Sequence, residues 1–153
     1  MNEGVRSFLD RAGVGYRIRA VDGPTVTAQD AAARLRVPLE TIIKSIVFTD
    51  EKGSPVLAIL TGDRRVDRKK LSSVIGVPKV RIASPEVTKA LTGFEVGVMP
   101  PLGHRNKITT IIDQKVMNLS KVYGGSGTAE TLMEIDPHDI ARSADAKVAD
   151  ICE

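Results

Sequence analysis

Three stretches of this chain carry residue types that could do chemistry, and none of them matches a nucleophile motif. In "TIIKSIVFT", Thr41 to Thr49, Lys44 interrupts an apolar run. Its ammonium either snorkels from the start of a strand or occupies a polar pocket lined by that sheet, where it would hold a phosphate as a point charge. In "VGVMPPLGH", Val96 to His104, Pro100 and Pro101 fix backbone torsions and remove amide donors, while Gly97 and Gly103 permit close approaches that side chains forbid. Such a stretch is a shaped wall, either a structural turn or the rim of a pocket that recognises by shape. In "GGSGT", Gly124 to Thr128, the nucleophile-elbow pattern G-x-S-x-G fails because Thr128 stands where the last glycine belongs. The dinucleotide pattern G-x-G-x-x-G fails at Glu130, and no phosphate-loop motif G-x-x-x-x-G-K-[ST] occurs. What remains is a turn rich in amides: a plain connection between strands, or a set of donors able to bind an anion or polarise a carbonyl.

A fourth stretch, "GDRRVDRKKL", gathers Arg64, Arg65, Arg68, Lys69 and Lys70 around Asp63 and Asp67. It reads as a solvated face or as a phosphate footprint beside a pocket, the latter implying steep salt dependence of binding. The only histidines are His104 and His138 and the only cysteine is Cys152, so no H-E-x-x-H or paired-cysteine motif exists. Neither a metal nor any other cofactor is expected, and an internal disulfide is excluded. Cys152 lies one residue from the end of the sequence, where mobility is expected and a catalytic thiol is not.

Periodicity and capping signals predict the elements that must position these residues. Val5, Phe8, Leu9 and Ala12 recur at helical spacing before Gly13, predicting a helix over 2–12. "YRIRAV" alternates like a strand, Thr27 with Asp30 opens a helix through "AQDAAARL", and Pro38 begins a short helical turn. "SIVFT" and "VLAILT" form two strands across a connection containing Gly53 and Pro55. Asp67 caps a helix ending near Gly76; Ser84, Pro85 and Gly93 delimit another. "ITTIID" and "TLMEI" are later strands, a helix follows Pro137, and "KVADI" is a last strand candidate. The expectation is one α/β domain over 1–153, with a mixed, mostly antiparallel sheet or open barrel and packed helices.

At 153 residues the chain can bury a real core without staples, and its 42% hydrophobic and 27% charged residues are ordinary globular values. Apolar runs fall far short of the roughly 20 residues a membrane span requires, and the acidic start lacks a signal-peptide core, so a cytoplasmic protein away from membranes is expected. A formal charge of +3 permits a polyanionic partner. With five aromatic residues (Phe8, Tyr16, Phe48, Phe94 and Tyr123) the chain cannot stack a long single strand, so any nucleic-acid contact should be phosphate plus one short end.

Taken in order, "AAARLRVPLETIIKSIVF", "VLAILTGDRRVDRKKL", "TGFEVGVMPPLGH", "TTIID" and "VYGGSGTAETLMEIDPHDI" resemble the YbaK / prolyl-tRNA synthetase-associated editing-domain family over nearly the whole chain. The resemblance implies a free-standing editing domain that hydrolyses the ester of a mischarged transfer RNA. The implied substrate is tRNA(Pro) carrying cysteine, alanine or serine, with prolyl-tRNA synthetase as a further partner and no DNA. Lys44 matches the functional lysine, held to engage the 3′-terminal nucleotide. Gly97, Val98, Met99, Pro100, Pro101 and Gly103 match the pocket loop, and Tyr123, Gly124 and Gly125 the opposite wall. Arg64, Arg65 and Lys69 are the expected transfer-RNA contacts. Val98 and Pro100 depart from the family's Gly-Gly-Ile-Ser-Pro loop, and Tyr123 stands where a small residue is common, which leaves the accepted amino acid open. The rival expectation is a non-catalytic, RNA-binding or regulatory module of the same fold.

Overall fold

The computed structural model describes residues 1–23 and 25–153. Five α-helices are set by their caps. Helix α1 (Glu3–Ala12) starts at Asn2, whose side chain accepts from the Gly4 and Val5 amides, and stops at Gly13 in the left-handed region. Helix α2 (Ala28–Leu35) opens with a complete capping box between Thr27 and Asp30. Asp67 caps α3 (Arg68–Ile75), Ser84 caps α4 (Pro85–Thr92) and Asp136 caps α5 (Pro137–Ser143). A short 3-10 turn at Leu39–Thr41 follows Pro38.

The strands are β1 (Tyr16–Ala20), β2 (Ile43–Asp50), β3 (Pro55–Thr61), β4 (Val80–Ile82), β5 (Thr109–Asp113), β6 (Val122–Gly125), β7 (Thr131–Ile135) and β8 (Lys147–Ala149). They form a three-stranded sheet in the order β1-β7-β6 and a five-stranded sheet in the order β4-β2-β3-β5-β8. The pairs β1·β7, β6·β7, β2·β3 and β2·β4 are antiparallel, while β3·β5 and β5·β8 are parallel. The expected mixed, mostly antiparallel α/β fold is therefore present as two sheets rather than a closed barrel. They meet at a parallel bridge between Ile42 and Tyr123.

Alternation along β2 and β3 explains how the five-stranded sheet is covered. Ile43, Val47, Leu57 and Ile59 face a core shared with α1, α5 and the three-stranded sheet, including Val5, Leu9, Met133 and Ile140. Phe48, Ala58 and Leu60 face a second cluster under α3 with Leu71, Ile151 and Cys152. A third cluster seats α2 through Ala31 and Leu35 on Ile42, Tyr123 and Leu132. Burial on both faces accounts for the unbroken apolar run of β3. Lys44 has the parity of Phe48, which directs it to the α3 face at the end where β2 begins. Cys152, expected to be mobile, is fully buried and bridges to Val66.

Two strands escaped the sequence pattern. β4 is only three residues long. The "GG" of β6 signals a turn locally, yet Gly124 and Gly125 pair with Met133 and Leu132. Glycine within a strand marks a place where another backbone comes close, and that is the case here.

Candidate functional site

The direction of the peptide groups in β2 defines the site. Ile42 O accepts from Gly62 N at 2.6 Å and Asp50 N donates to Ser54 O at 3.1 Å, so even-numbered residues of β2 turn their peptides toward β3. Val47 O accepts from Ala83 N at 2.9 Å, on the opposite edge. The odd-numbered peptides face that edge, which β4 covers only at the far end of β2. At Ser45, no ladder with another strand is formed on that edge among the described residues.

The same reasoning applies to β6. Val21 N donates to Glu130 O at 3.0 Å, which extends the β1·β7 register and turns the peptides of Leu132 and Glu134 toward β1. Met133 and Ile135 then face β6, pairing with Gly124 and Val122. The peptides of Tyr123 and Gly125 are left pointing away from β7, toward β2. β2 and β6 therefore touch at Ile42 and Tyr123 and then separate, and the backbone of Ser45 and Gly125 borders the opening between them.

That opening is a cavity of about 410 Å³. Its walls are the first residues of β2, the N-terminal end of α2 with Thr27 and Ala28, the loop at Val96, Gly97 and Met99, and Gly124, Gly125 and Leu132. Lys44 and Arg65 are its charged lining residues, and no acidic side chain lines it among the described residues. Exposed Val26 and Val96 also line it. Among the described residues no group of three or more His, Cys, Asp or Glu side chains is placed to hold a metal ion.

The Lys44 ammonium donates to the main-chain carbonyl of Arg64. Partial burial pulls its pKa below 10.5, Asp63 works in the opposite direction, and Arg65 adds to the lowering. Cys152, on the same side of the sheet, has its pKa pushed up to about 12, chiefly by burial, so the thiol stays protonated.

The loop wall is held by its own backbone. Val98 O accepts from Gly127 N at 2.9 Å, and Pro100 O accepts from His104 Nε2 at 2.9 Å. His104 stacks edge-on against Phe94 with ring centroids 5.6 Å apart. Gly97 (φ 96°) adopts the left-handed region at the cavity edge. At Gly125 the loop comes so close that a Cβ would stand 2.3 Å from Met99 O and 2.6 Å from Val98 O.

The structure thus brings Lys44, Arg65, Gly97, Met99, Gly124 and Gly125 together around one cavity. Val98, Pro100, Pro101 and Gly103 hold the loop instead of lining it: Pro101 lies beside Gly124, and Gly103 packs on Val5 of α1. Tyr123, expected on the opposite wall, does not reach the cavity. Its ring packs in the α2 cluster, with the Arg19 guanidinium 5.6 Å from its centroid. The Arg64 guanidinium is likewise turned inward, bonding Asp113 at 2.8 Å, while Lys69 is exposed on α3. Sequence reasoning missed Ser45 and the start of α2. The Thr27 cap signals a helix, but its approach to β2 is a non-local contact with no local pattern.

Two expected outcomes follow from this geometry. Gly125→Ala should displace the Val98–Met99 segment and lower the thermal midpoint, whereas Gly15→Ala, with open space around its Cβ position, should change stability by less than about 0.5 kcal/mol; equal midpoints for the two variants would contradict the close-approach account. Burial lowers the His104 pKa below 6.5, so the unfolded state takes up its proton first as pH falls. Stability should be fully present above pH 6.5 and decline as pH falls through the lowered value. Urea titrations should show a smaller acid-side decline in His104→Gln; an undiminished decline would assign it to other groups.

Comparison with known proteins gives this architecture a family. The model of the aminoacyl-tRNA editing domain matches residues 22–143. A proline–tRNA ligase of Bacillus cereus is 37% identical over 103 residues, which are 67% of this chain but 18% of the ligase. EbsC of Enterococcus faecalis, provisionally named a deacylase of Cys-tRNA(Pro) and Cys-tRNA(Cys), is 25% identical over 126 residues, 82% of this chain and 77% of EbsC. A crystal structure described provisionally as a trans-editing enzyme for prolyl-tRNA synthetase superposes with a TM-score of 0.88 at 30% identity, covering 100% of this chain and 99% of that one. With the family model matched over residues 22–143, most of its length, the chain belongs to the aminoacyl-tRNA editing domain family.

Proposed function

We propose that the cavity binds the aminoacylated 3′ end of a mischarged transfer RNA and hydrolyses its ester. The observation that carries this reading is the combination of Lys44, Arg65 and the Gly124–Gly125 and Gly97 backbone in a cavity whose described lining holds no histidine, cysteine or carboxylate. Such a lining suits an anionic ligand that brings its own activated bond. An ester at an RNA 3′ end is activated, and the neighbouring ribose hydroxyl can help position or deprotonate water. The protein then contributes placement and electrostatic stabilisation.

In this mechanism Lys44 anchors the terminal phosphate, using donors not taken by Arg64 O. Water attacks the carbonyl carbon, and the Gly125 and Gly97 amides stabilise the developing oxyanion. The carbon–oxygen bond to the ribose breaks, and the ribose oxygen regains a proton. A cavity of about 410 Å³ has room for a small amino acid together with part of the terminal nucleotide. Met99, 6% exposed, bounds the amino-acid side, which favours cysteine, alanine or serine over proline. The names of EbsC and of the trans-editing structure support tRNA(Pro) as the carrier. Editing of this kind is useful because one methylene gives a synthetase only about 1–3 kcal/mol of discrimination. Exposed Arg65 and Lys69 are the proposed contacts to the RNA backbone, with Arg68 beside them on α3.

Lys44→Ala should lower single-turnover deacylation by about 100-fold or more while leaving the unfolding transition in place; parental activity in that variant would refute the assignment. Across a panel in which amino acid and transfer RNA are varied independently, release of alanine, cysteine or serine should exceed release of proline. Faster release of proline would overturn the pocket reading, and tight binding without turnover on every substrate would leave a non-catalytic RNA module.

A further inference from the structure

The carbonyl that receives the Lys44 ammonium belongs to a peptide clamped from two sides. The Arg64 side chain, 18% exposed, reaches inward to Asp113, which is fully buried at the end of β5. Asp113 uses both carboxylate oxygens: Oδ2 accepts from Arg64 Nη1 at 2.8 Å and from Lys115 N at 3.2 Å, and Oδ1 accepts from Ile151 N at 3.0 Å. The segment so captured runs along residues 64–67 and bonds them in turn. Asp67 N donates to Ile151 O at 2.8 Å and Glu153 N donates to Arg65 O at 3.0 Å. Arg64 Nη2 closes the ring by donating to Glu153 O at 3.2 Å.

We propose that Asp113 is a positioning residue for the cavity: through the Arg64 guanidinium it fixes the Arg64 carbonyl that aims the Lys44 ammonium at the ligand. This rests on the reading of Lys44 as the anchor. A buried ion pair is a weak source of net stability, since well-packed apolar groups often fill such a space as well. Apolar replacements would not fix the rotation of the 64–65 peptide, and the Lys44 stem is long enough to follow that carbonyl wherever it turns. The arrangement also changes the meaning of "GDRR". Its first arginine sets the geometry of a neighbouring cation, and the exposed second arginine faces the cavity.

The test uses the full chain, one mischarged transfer RNA, and the variants R64A, D113N and R64A/D113N, with K44A beside them. Truncating Arg64 keeps its carbonyl in the chain but releases the peptide from the clamp. R64A and D113N should each raise KM by about tenfold or more, with kcat changed far less. The double variant should be no worse than the worse single within about twofold, because both remove one device. The slope of log affinity against log salt should stay parental in R64A. A slope shallower by about 0.7–0.9 in R64A, with parental KM in D113N, would make Arg64 an RNA contact and overturn the proposal. Parental KM in both single variants would overturn it as well. If D113N does not fold, R64A decides alone through its KM and salt slope. K44A separates the two levels: parental activity there defeats the anchor reading itself, whereas an inactive K44A with an unaffected R64A defeats only the positioning role.

Discussion

The structure depends on two strands that touch once and then part. β2 and β6 meet at Ile42 and Tyr123, where the five-stranded and three-stranded sheets join. Beyond that bridge the ladder does not continue, and the backbone of Ser45 and Gly125 borders the gap. Unpaired strand edges are ordinarily blunted or covered, because each exposed N–H and C=O invites another backbone. Here the edges are covered by α2 on one side and the 96–101 loop on the other, leaving a cavity with a polar wall made of main chain. Such a wall is rigid and presents donors whose placement is set by sheet geometry, independent of side-chain rotamers.

Charge enters this opening at few points. Lys44 sits at the first turn of the gap, partly buried and tied to Arg64 O, and Arg65 lies at the edge. Neither is balanced by an acid within the described lining, although the Asp63 charge acts on Lys44 from outside it. The buried cysteine beside Lys44 has its pKa pushed up to about 12 and offers no thiolate at neutral pH. Histidine contributes by holding the loop: His104 donates to Pro100 O from a site where burial favours the neutral ring. In the proposed mechanism these residues provide placement, one anchoring cation and amide donors. That inventory matches hydrolysis of a bond already activated by its leaving group.

Local signals made most of the fold legible. Caps and stops at Thr27 with Asp30, Asp67, Ser84 with Pro85, and Gly93 delimit their helices as their chemistry dictates, since each satisfies orphan backbone groups within a few residues. The hairpin of β2 and β3 follows from its apolar runs and intervening turn. The parallel pairing of β3 with β5 has no such signal, because the partners lie about fifty residues apart and parallel strands need a long crossover. β6 was hidden by its glycines, which serve close contact with Met99 O and Ile43 instead of a turn. In the site, Lys44 stands out because a cation breaks an apolar run. Tyr123 and Arg64 could not be placed from local sequence: the partners that orient them, Arg19 for one and Asp113 for the other, are remote in the chain.

The central claim is that this cavity accelerates ester hydrolysis by holding the RNA end still while the ribose assists. The most direct measurement compares single-turnover cleavage of two matched substrates, one ending in adenosine and one in 2′-deoxyadenosine, both aminoacylated at the 3′ oxygen and shown to bind with equal affinity. The account predicts that the deoxy substrate is cleaved slower by about 100-fold or more. Cleavage of both at the same rate would mean that the protein supplies the assisting group itself, and would contradict it.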